Sequence, residues 1–197
     1  MLRAIREFGG SQPKLILDIG TADGLMLEHL SASLGAIFVG VDISFELLTA
    51  NSSRSFQPTR ADALALPFRE GVFDVVIATA VIEHVQDGKK LLCECQRVLR
   101  KGGLLILTTP VPFFDRISEL IGQQQRDIHL KRFTLDELRQ LCSKVGLKTL
   151  KAERFMMSPI GFPKEKAIER VMQAIGLGFL LMNQLLVATK EAKAKQR

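Results

Sequence analysis

The stretch LILDIGTADG, residues 15–24, decides the fold. An apolar run meets Asp18, and Gly20, Ala22 and Gly24 follow within six positions. Such a stretch can be an ordinary strand with an ordinary turn, or the floor of a nucleotide pocket. Small residues after a strand let the backbone come close to a ligand, and a helix start offers free N–H groups. The spacing then separates the nucleotides. A dinucleotide fingerprint needs small residues at its first, third and sixth positions. Counted from Gly20, these are Gly20, Ala22 and Leu25, and Leu25 is expected to hold the helix off the strand. The small residues fall instead at Gly20, Ala22 and Gly24, with Asp18 before them.

Outward from this turn, residues 14–109 alternate strand and helix signals. KLILD (14–18), AIFVGVD (36–42), PTRAD (58–62), FDVVIAT (73–79) and LLILTT (104–109) read as strands, the last ended by Pro110. The fourth is nearly all apolar, as a strand buried on both faces should be. Helices are predicted over 24–34, from Phe45 to Ala50, and from an Asp87 cap to Arg100, with Gly102 and Gly103 as the stop. Beyond Pro110 lies an amphipathic piece, DRISELIG, and then the polar QQQRDIHLKR. Thr134 and Glu137 have capping-box spacing, Phe133 and Leu138 suit a hydrophobic staple, and Gly146 closes that helix. KTLKAERFM (148–156) reads as a strand, a helix opens at Pro163 and ends at Gly176, and FLLMNQLLVATK is the last strand. Alternation of this kind predicts an α/β fold: a mostly parallel sheet with helices on both faces and ligand-binding loops along one edge. With no repeat and no low-complexity linker, residues 1–197 are expected to form a single domain. Residues 14–110 would be its cofactor half and 111–197 its substrate half, with a candidate lid at 111–132.

Composition bounds the rest. The 197 residues are 47% hydrophobic and 24% charged, so the chain is globular rather than disordered. No leader-like N-terminus is seen, and GLGFLLMNQLLVA (176–188) is shorter than the ~20 residues a membrane helix needs. The three cysteines are sparse and odd in number, which suggests reduced thiols and a cytoplasmic location. Cys93 and Cys95 point different ways on a helix, with no second pair nearby, so no metal site is expected. The net charge of +6 is partly held in the tail TKEAKAKQR, which reads as a solvated end. The absence of Trp and Tyr, and of basic runs interleaved with aromatics, argues against nucleic acid as a partner.

Asp18-Ile-Gly20-Thr-Ala22-Asp-Gly24 resembles the first motif of class I S-adenosylmethionine-dependent methyltransferases, acid-x-Gly-x-Gly-x-Gly, with Ala22 in place of the middle glycine. Further matching stretches follow in order: GVDIS (40–44), ADALALPFREGVFDVVIATAVIEHV (61–85) and RVLRKGGLLILTTP (97–110). HLKRFTLDELRQLCSKVGLKTL (129–150) is more loosely similar to the small-molecule branch. The resemblance implies a Rossmann-like, seven-stranded, mostly parallel sheet with an antiparallel last strand, and S-adenosyl-L-methionine as cofactor. Carried over residue by residue, it implies that Asp42 holds the ribose hydroxyls, a task suited to a bidentate, charge-assisted acceptor. Asp62 and Ala63 would meet the adenine, with Ile43 and Leu64 offering apolar faces. Asp18 would act through the turn formed by Gly20, Thr21, Ala22 and Gly24, or on the methionine amino group. Thr79 and Ala80 would face the methionine end. Each acid also has a plainer reading: Asp42 as a helix cap, Asp62 as a turn residue.

Methyl transfer from a sulfonium needs alignment first, and a general base only where the acceptor must lose a proton. His84, in IEHV, and His129, beside Arg126, Lys131 and Arg132, are the candidate bases; a structural role for His84 is the competing reading. His29 reads as a plain helix residue. Met156 and Met157 could line an apolar acceptor pocket or simply fill the core. A basic lid suits an anionic or amphipathic small molecule. ATAV (78–81) stands where methyltransferases of exocyclic base amino groups carry Asn/Asp-Pro-Pro-aromatic, which again points to small molecules. The expected protein is a small-molecule methyltransferase, monomeric or homodimeric. The alternatives are a methyltransferase-like module that binds cofactor or partner without turnover, and a nicotinamide-dependent oxidoreductase.

Overall fold

A computed structural model of the chain describes residues 1–10, 12–51, 55–112, 131–155 and 183–191. Its strands are β1 (Leu15–Ile19), β2 (Ile37–Asp42), β3 (Gln57–Arg60), β4 (Phe73–Thr79), β5 (Leu99–Pro110), β6 (Leu147–Phe155) and β7 (Asn183–Lys190). Its helices are α1 (Leu2–Phe8), α2 (Leu25–Ser31), α3 (Phe45–Ala50), α4 (Gly88–Val98) and α5 (Leu135–Lys144). The seven strands form one sheet in the order β3-β2-β1-β4-β5-β7-β6. From β3 to β5 the pairing is parallel, and β7 runs antiparallel to both β5 and β6.

Side chains alternate across the sheet, so each strand feeds two apolar layers. On β1, Leu17 and Ile19 join Val76, Ala78 and the α4 residues Leu91, Leu92 and Cys95 on one face. Ile16 joins Phe38, Val75, Ile77 and the α2 residues Leu27 and Leu30 on the other. Burial on both faces is what makes β1 and β4 nearly continuous apolar runs. Each fully buried Leu or Ile contributes about 1.5–3 kcal/mol relative to an exposed one.

The helix ends follow their caps. The Asp87 side chain accepts from Lys90 N at 3.0 Å, and α5 carries the full Thr134–Glu137 capping box. Phe133 and Leu138 are both buried, as the staple requires. Helix α4, however, stops at Val98 rather than Arg100. Leu99 is already paired with Phe73, and the next register pair on the strands is Val75 with Leu104. Gly102 (φ 71°) and Gly103 therefore serve an irregular stretch inside β5, not a helix cap. A Cβ on Gly103 would stand 2.8 Å from Arg100 O. Helix α1 was not expected from the sequence; it buries Ala4 and Ile5 against the α2 layer. The helix expected from Pro163, and most of the candidate lid, lie outside the described residues.

The order of the strands positions the site. The chain winds one way from β1 through β2 to β3, then returns to β4 on the other side of β1. Beyond the carboxyl ends of β1 and β4, the loops diverge to opposite faces and leave a crevice, which is where open α/β sheets bind ligands.

Candidate cofactor and active site

The turn after β1 is stitched to the end of β2. Gly20 N and Thr21 N both donate to Val41 O, at 2.8 and 3.0 Å, and Gly24 N donates to Thr21 O at 2.9 Å. Gly20, Ala22 and Gly24 all have left-handed backbones, at φ 71°, 50° and 77°. Two of these positions are also closed to side chains by close neighbours. A Cβ on Gly20 would stand 2.4 Å from Val81 Cγ2, and one on Gly24 would stand 2.1 Å from Phe56 Cε1. Leu25 points away from the sheet at 61% exposure, so its bulk does not hold the helix off the strand; the close approach falls at Gly24.

Asp42 closes the turn from the side. Its Oδ2 accepts from Ala22 N and its Oδ1 from Ser44 N, each at 2.9 Å. Each carboxylate oxygen keeps a lone-pair site for a ligand hydroxyl. The local bonds of Asp42 therefore leave it able to accept from a ligand as well. Ser44 itself caps α3 through Leu47 N.

Beneath the turn lies Asp18, 1% exposed. Burial pushes its carboxyl up to about 7; the Thr21 side chain draws it back down, and the Asp42 charge adds to the rise. Asp18 Oδ1 and Thr21 Oγ1 are buried without a regular hydrogen bond among the described residues. Orphaned buried polar atoms are costly unless a ligand or water serves them. A carboxylate and a hydroxyl in this setting fit the ammonium group of an amino acid moiety.

The segment after β3 starts at the same acid: Ala61 N donates to Asp42 O at 3.1 Å. Asp62 is exposed, and its Oδ1 accepts from Leu64 N at 2.8 Å. Ala65 N closes a turn onto Asp62 O at 3.0 Å. Ala63 and Leu64 pack partly against the core, and Ile43 stands 68% exposed beside Asp42. Ile19 pairs with Ala78, so Gly20 and Thr79 follow side by side. Thr79 is half-buried near Met26, and the exposed Ala80 takes φ 52° while its N–H donates to Thr108 O. Non-glycine residues held in that region cluster at functional sites.

The structure therefore brings Gly20, Thr21, Ala22, Gly24 and Asp42 into one hydrogen-bonded unit with Asp18 buried beneath it, and Ile43, Asp62, Ala63, Thr79 and Ala80 along the same sheet edge. His84 is exposed on the turn that follows β4, its N–H donating to Val81 O. His129 lies outside the described residues, as do Arg126, Met156 and Met157. His29 is an exposed residue of α2. Lys131 stands over the Phe133 ring at 5.7 Å. Among the described residues, no group of His, Cys, Asp and Glu is arranged to hold a metal ion. Burial pushes the Cys95 and Cys142 thiols up, Cys142 to about 12, so neither is a ready thiolate. No helix of the described residues is long and apolar enough to cross a membrane.

Two residues escaped the sequence reading. Phe56 is buried under the turn, packed where Cβ atoms on Gly24 and Gly40 would stand. Its signal was one aromatic in a polar run. Glu83, 3% exposed, accepts from Thr109 Oγ1 at 3.0 Å.

A family profile described as a methyltransferase domain matches residues 17–107. The ubiquinone biosynthesis O-methyltransferase of Cereibacter sphaeroides is 32% identical over 167 residues, covering 75% of this chain and 65% of the relative. The tRNA (carboxymethyluridine(34)-5-O)-methyltransferase alkbh8 of Xenopus tropicalis is 34% identical over 108 residues, covering 52% of this chain and 17% of the relative. The chain thus spans less than two thirds of the length of either. Among solved structures, an S-adenosylmethionine-dependent methyltransferase from Archaeoglobus fulgidus has the same fold, with TM-score 0.70 and 22% identity over 95% of this chain and 90% of that one. The profile lies on the strands that build the crevice, so the crevice is the part of the chain that is similar to methyltransferase domains, and the fold is that of the S-adenosylmethionine-dependent Archaeoglobus fulgidus structure.

Proposed function

We propose that this chain catalyses transfer of a methyl group from S-adenosylmethionine to a small organic acceptor. The observation that carries the proposal is the hydrogen-bonded turn of Gly20, Ala22 and Asp42 over the buried Asp18, at the crevice between β1 and β4. Asp42 would accept the two ribose hydroxyls through its remaining lone pairs. Asp62 would accept from the adenine amino group, with the Ala63 and Ile43 side chains beside the ring. Asp18 and Thr21 would serve the methionine ammonium, and Thr79 and Ala80 would line the path to the sulfonium. When bound, the cofactor supplies an activated methyl and its own leaving group.

What the chain adds is alignment. Holding a nucleophile in line at contact distance can contribute up to roughly 7–11 kcal/mol of the barrier. An acceptor that must lose a proton needs a base, and His84 is the described candidate at this edge; His129 is the other candidate. A small acceptor is supported by the likeness to the Cereibacter protein, whose name places it in ubiquinone biosynthesis. It is also supported by ATAV after β4 and by the lack of aromatic residues interleaved with basic ones. The Xenopus relative acts on tRNA by its name, but the shared part is 17% of that protein.

The test has two stages. Calorimetry with S-adenosylhomocysteine is expected to show one site per chain, and no binding alongside tight binding of a nicotinamide dinucleotide would reject the proposal. Metabolite extracts incubated with cofactor labelled on the methyl, then analysed by mass spectrometry, should yield a labelled product that Asp42→Ala does not form.

A further inference from the structure

The segment proposed to meet adenine is not held by the strand before it alone. Beyond Ala65 it is anchored to the far end of α4 by two side chains. Glu94 Oε2 accepts from Leu66 N at 2.7 Å. Arg97 Nη2 donates to Leu66 O at 2.9 Å, and Arg97 Nη1 donates to Phe68 O at 2.6 Å. The two side chains are joined fork to fork: Arg97 Nε meets Glu94 Oε1 at 2.7 Å and Nη2 meets Oε2 at 2.8 Å. The Arg97 guanidinium beside it holds the Glu94 carboxyl below the usual range, so the pair is ionised at neutral pH. Gly71 N then donates to Arg97 O and Val72 N to Val98 O, tying the loop's return to the same helix end.

Three main-chain groups of the loop thus find partners on side chains rather than on secondary structure. The loop contributes no strand of its own between Arg60 and Phe73. From Asp42 to Leu66 the path runs through Ala61, Asp62 and Leu64 with one fixed end at each side. Moving the Leu66 end would turn the Asp62 carboxylate, which is exposed and is held by its own turn through Leu64 N.

We infer that Glu94 and Arg97 are positioning residues for base recognition: clamping Leu66 and Phe68 to α4, they set the Asp62–Leu64 turn where it selects adenine over a 6-oxo purine. Both residues act through Leu66 and Phe68 rather than on the cofactor. The inference rests on the proposed cofactor site. An amino group at the purine 6-position donates to Asp62, whereas a 6-oxo group presents an acceptor to an acceptor and moves the donor to N1, away from the place the turn sets for the carboxylate.

The test is calorimetry of S-adenosylhomocysteine against S-inosylhomocysteine on the full chain. The wild type should prefer the adenosyl ligand by at least about tenfold, the scale of one unmade hydrogen bond. In Arg97→Ala and Glu94→Ala that preference should fall several-fold towards unity, with the adenosyl ligand losing most of the affinity. Glu94→Gln keeps an acceptor for Leu66 N but sets its amide N–H2 against the Arg97 donors, so its preference should fall less than in Glu94→Ala. A loss of stability alone would lower both affinities together and leave their ratio intact, so the ratio separates positioning from folding. Arg97→Lys keeps charge without the fork and should show the reduced ratio even where Arg97→Ala does not fold. An unchanged ratio in folded Arg97→Lys and Glu94→Ala overturns the inference while the cofactor site stands. No binding of S-adenosylhomocysteine by the wild type overturns both.

Discussion

The Ala22 N–H donates to Asp42 Oδ2 at 2.9 Å, and Ala22 keeps that position at φ 50°. The acid at the tip of β2 therefore holds the turn after β1 in a left-handed conformation. That conformation costs an alanine roughly 1–2 kcal/mol. Where the family motif has glycine, this chain carries strain and a hydrogen bond that offsets it. Replacing Ala22 with glycine removes the strain but adds about 0.5–1 kcal/mol of chain entropy to be lost on folding. Ala22→Gly is thus expected to raise stability by up to about 1 kcal/mol. The check is urea unfolding, with a higher midpoint at unchanged slope. A lower midpoint would mean that the Ala22 methyl makes packing contacts worth more than the strain.

Asp42→Ala tests the other partner. It leaves the Ala22 and Ser44 N–H groups without their acceptor, and should cost about 1–3 kcal/mol of stability. It should also weaken S-adenosylhomocysteine binding by about 1.5–3 kcal/mol, the scale of hydrogen bonds to a charged group. Affinity measured at a temperature where the variant is fully folded keeps the two effects apart. Unchanged affinity would remove Asp42 from the ribose site.

The strand-turn-helix at residues 15–31 and the acid of β2 were legible because their signals are local. An apolar run, a small-residue turn and an acid at a strand tip each fit within ten residues. The ligand-binding edge of the sheet followed from alternation, whereas the crevice depends on the order of the strands. Local signals could not show what reaches the turn from far along the chain. Phe56 sits 32 residues beyond Gly24 yet decides that Gly24 has no side chain. Leu25 fails the sixth position of the dinucleotide fingerprint by its bulk, yet beside the left-handed Gly24 it faces water rather than the strand. The stop of α4 failed for a similar reason. Gly102 and Gly103 look like a helix end, but pairing of Leu99 with Phe73 draws the chain into the sheet three residues earlier.

Asp18 gives the apoprotein a pH signature. Its folded carboxyl is raised from the ordinary 3.8 to about 7, so the folded state holds a proton that the unfolded state releases. Stability from this group is complete below about 3.8 and is lost as pH rises towards 7. Asp74, Glu94 and Glu137 are shifted the other way, so the total curve mixes signs. The difference between Asp18→Asn and wild type isolates the one group. Unfolding free energies measured from pH 4 to pH 8 should show the variant gaining on the wild type up to about pH 7 and running parallel above it. A constant difference would show that Asp18 ionises normally in its buried position.

Gly24 and Phe56 should be energetically coupled. In Gly24→Ala the new Cβ would stand 2.1 Å from Phe56 Cε1 and 2.4 Å from Cζ, so the ring must shift. Overpacking of this kind costs typically about 1–3 kcal/mol. The left-handed backbone at φ 77° adds roughly another 1–2 kcal/mol. Phe56→Ala alone leaves a cavity and should cost about 3–5 kcal/mol. In the double variant the cavity accepts the new methyl, so the overpacking cost disappears while the backbone cost stays. The double variant should then lose less than the sum of the two single losses, by about 0.5–3 kcal/mol. Denaturant unfolding of both single variants and the double variant closes the cycle. Strict additivity would mean that glycine is required at position 24 for its backbone alone, and that the ring of Phe56 yields to a methyl without cost.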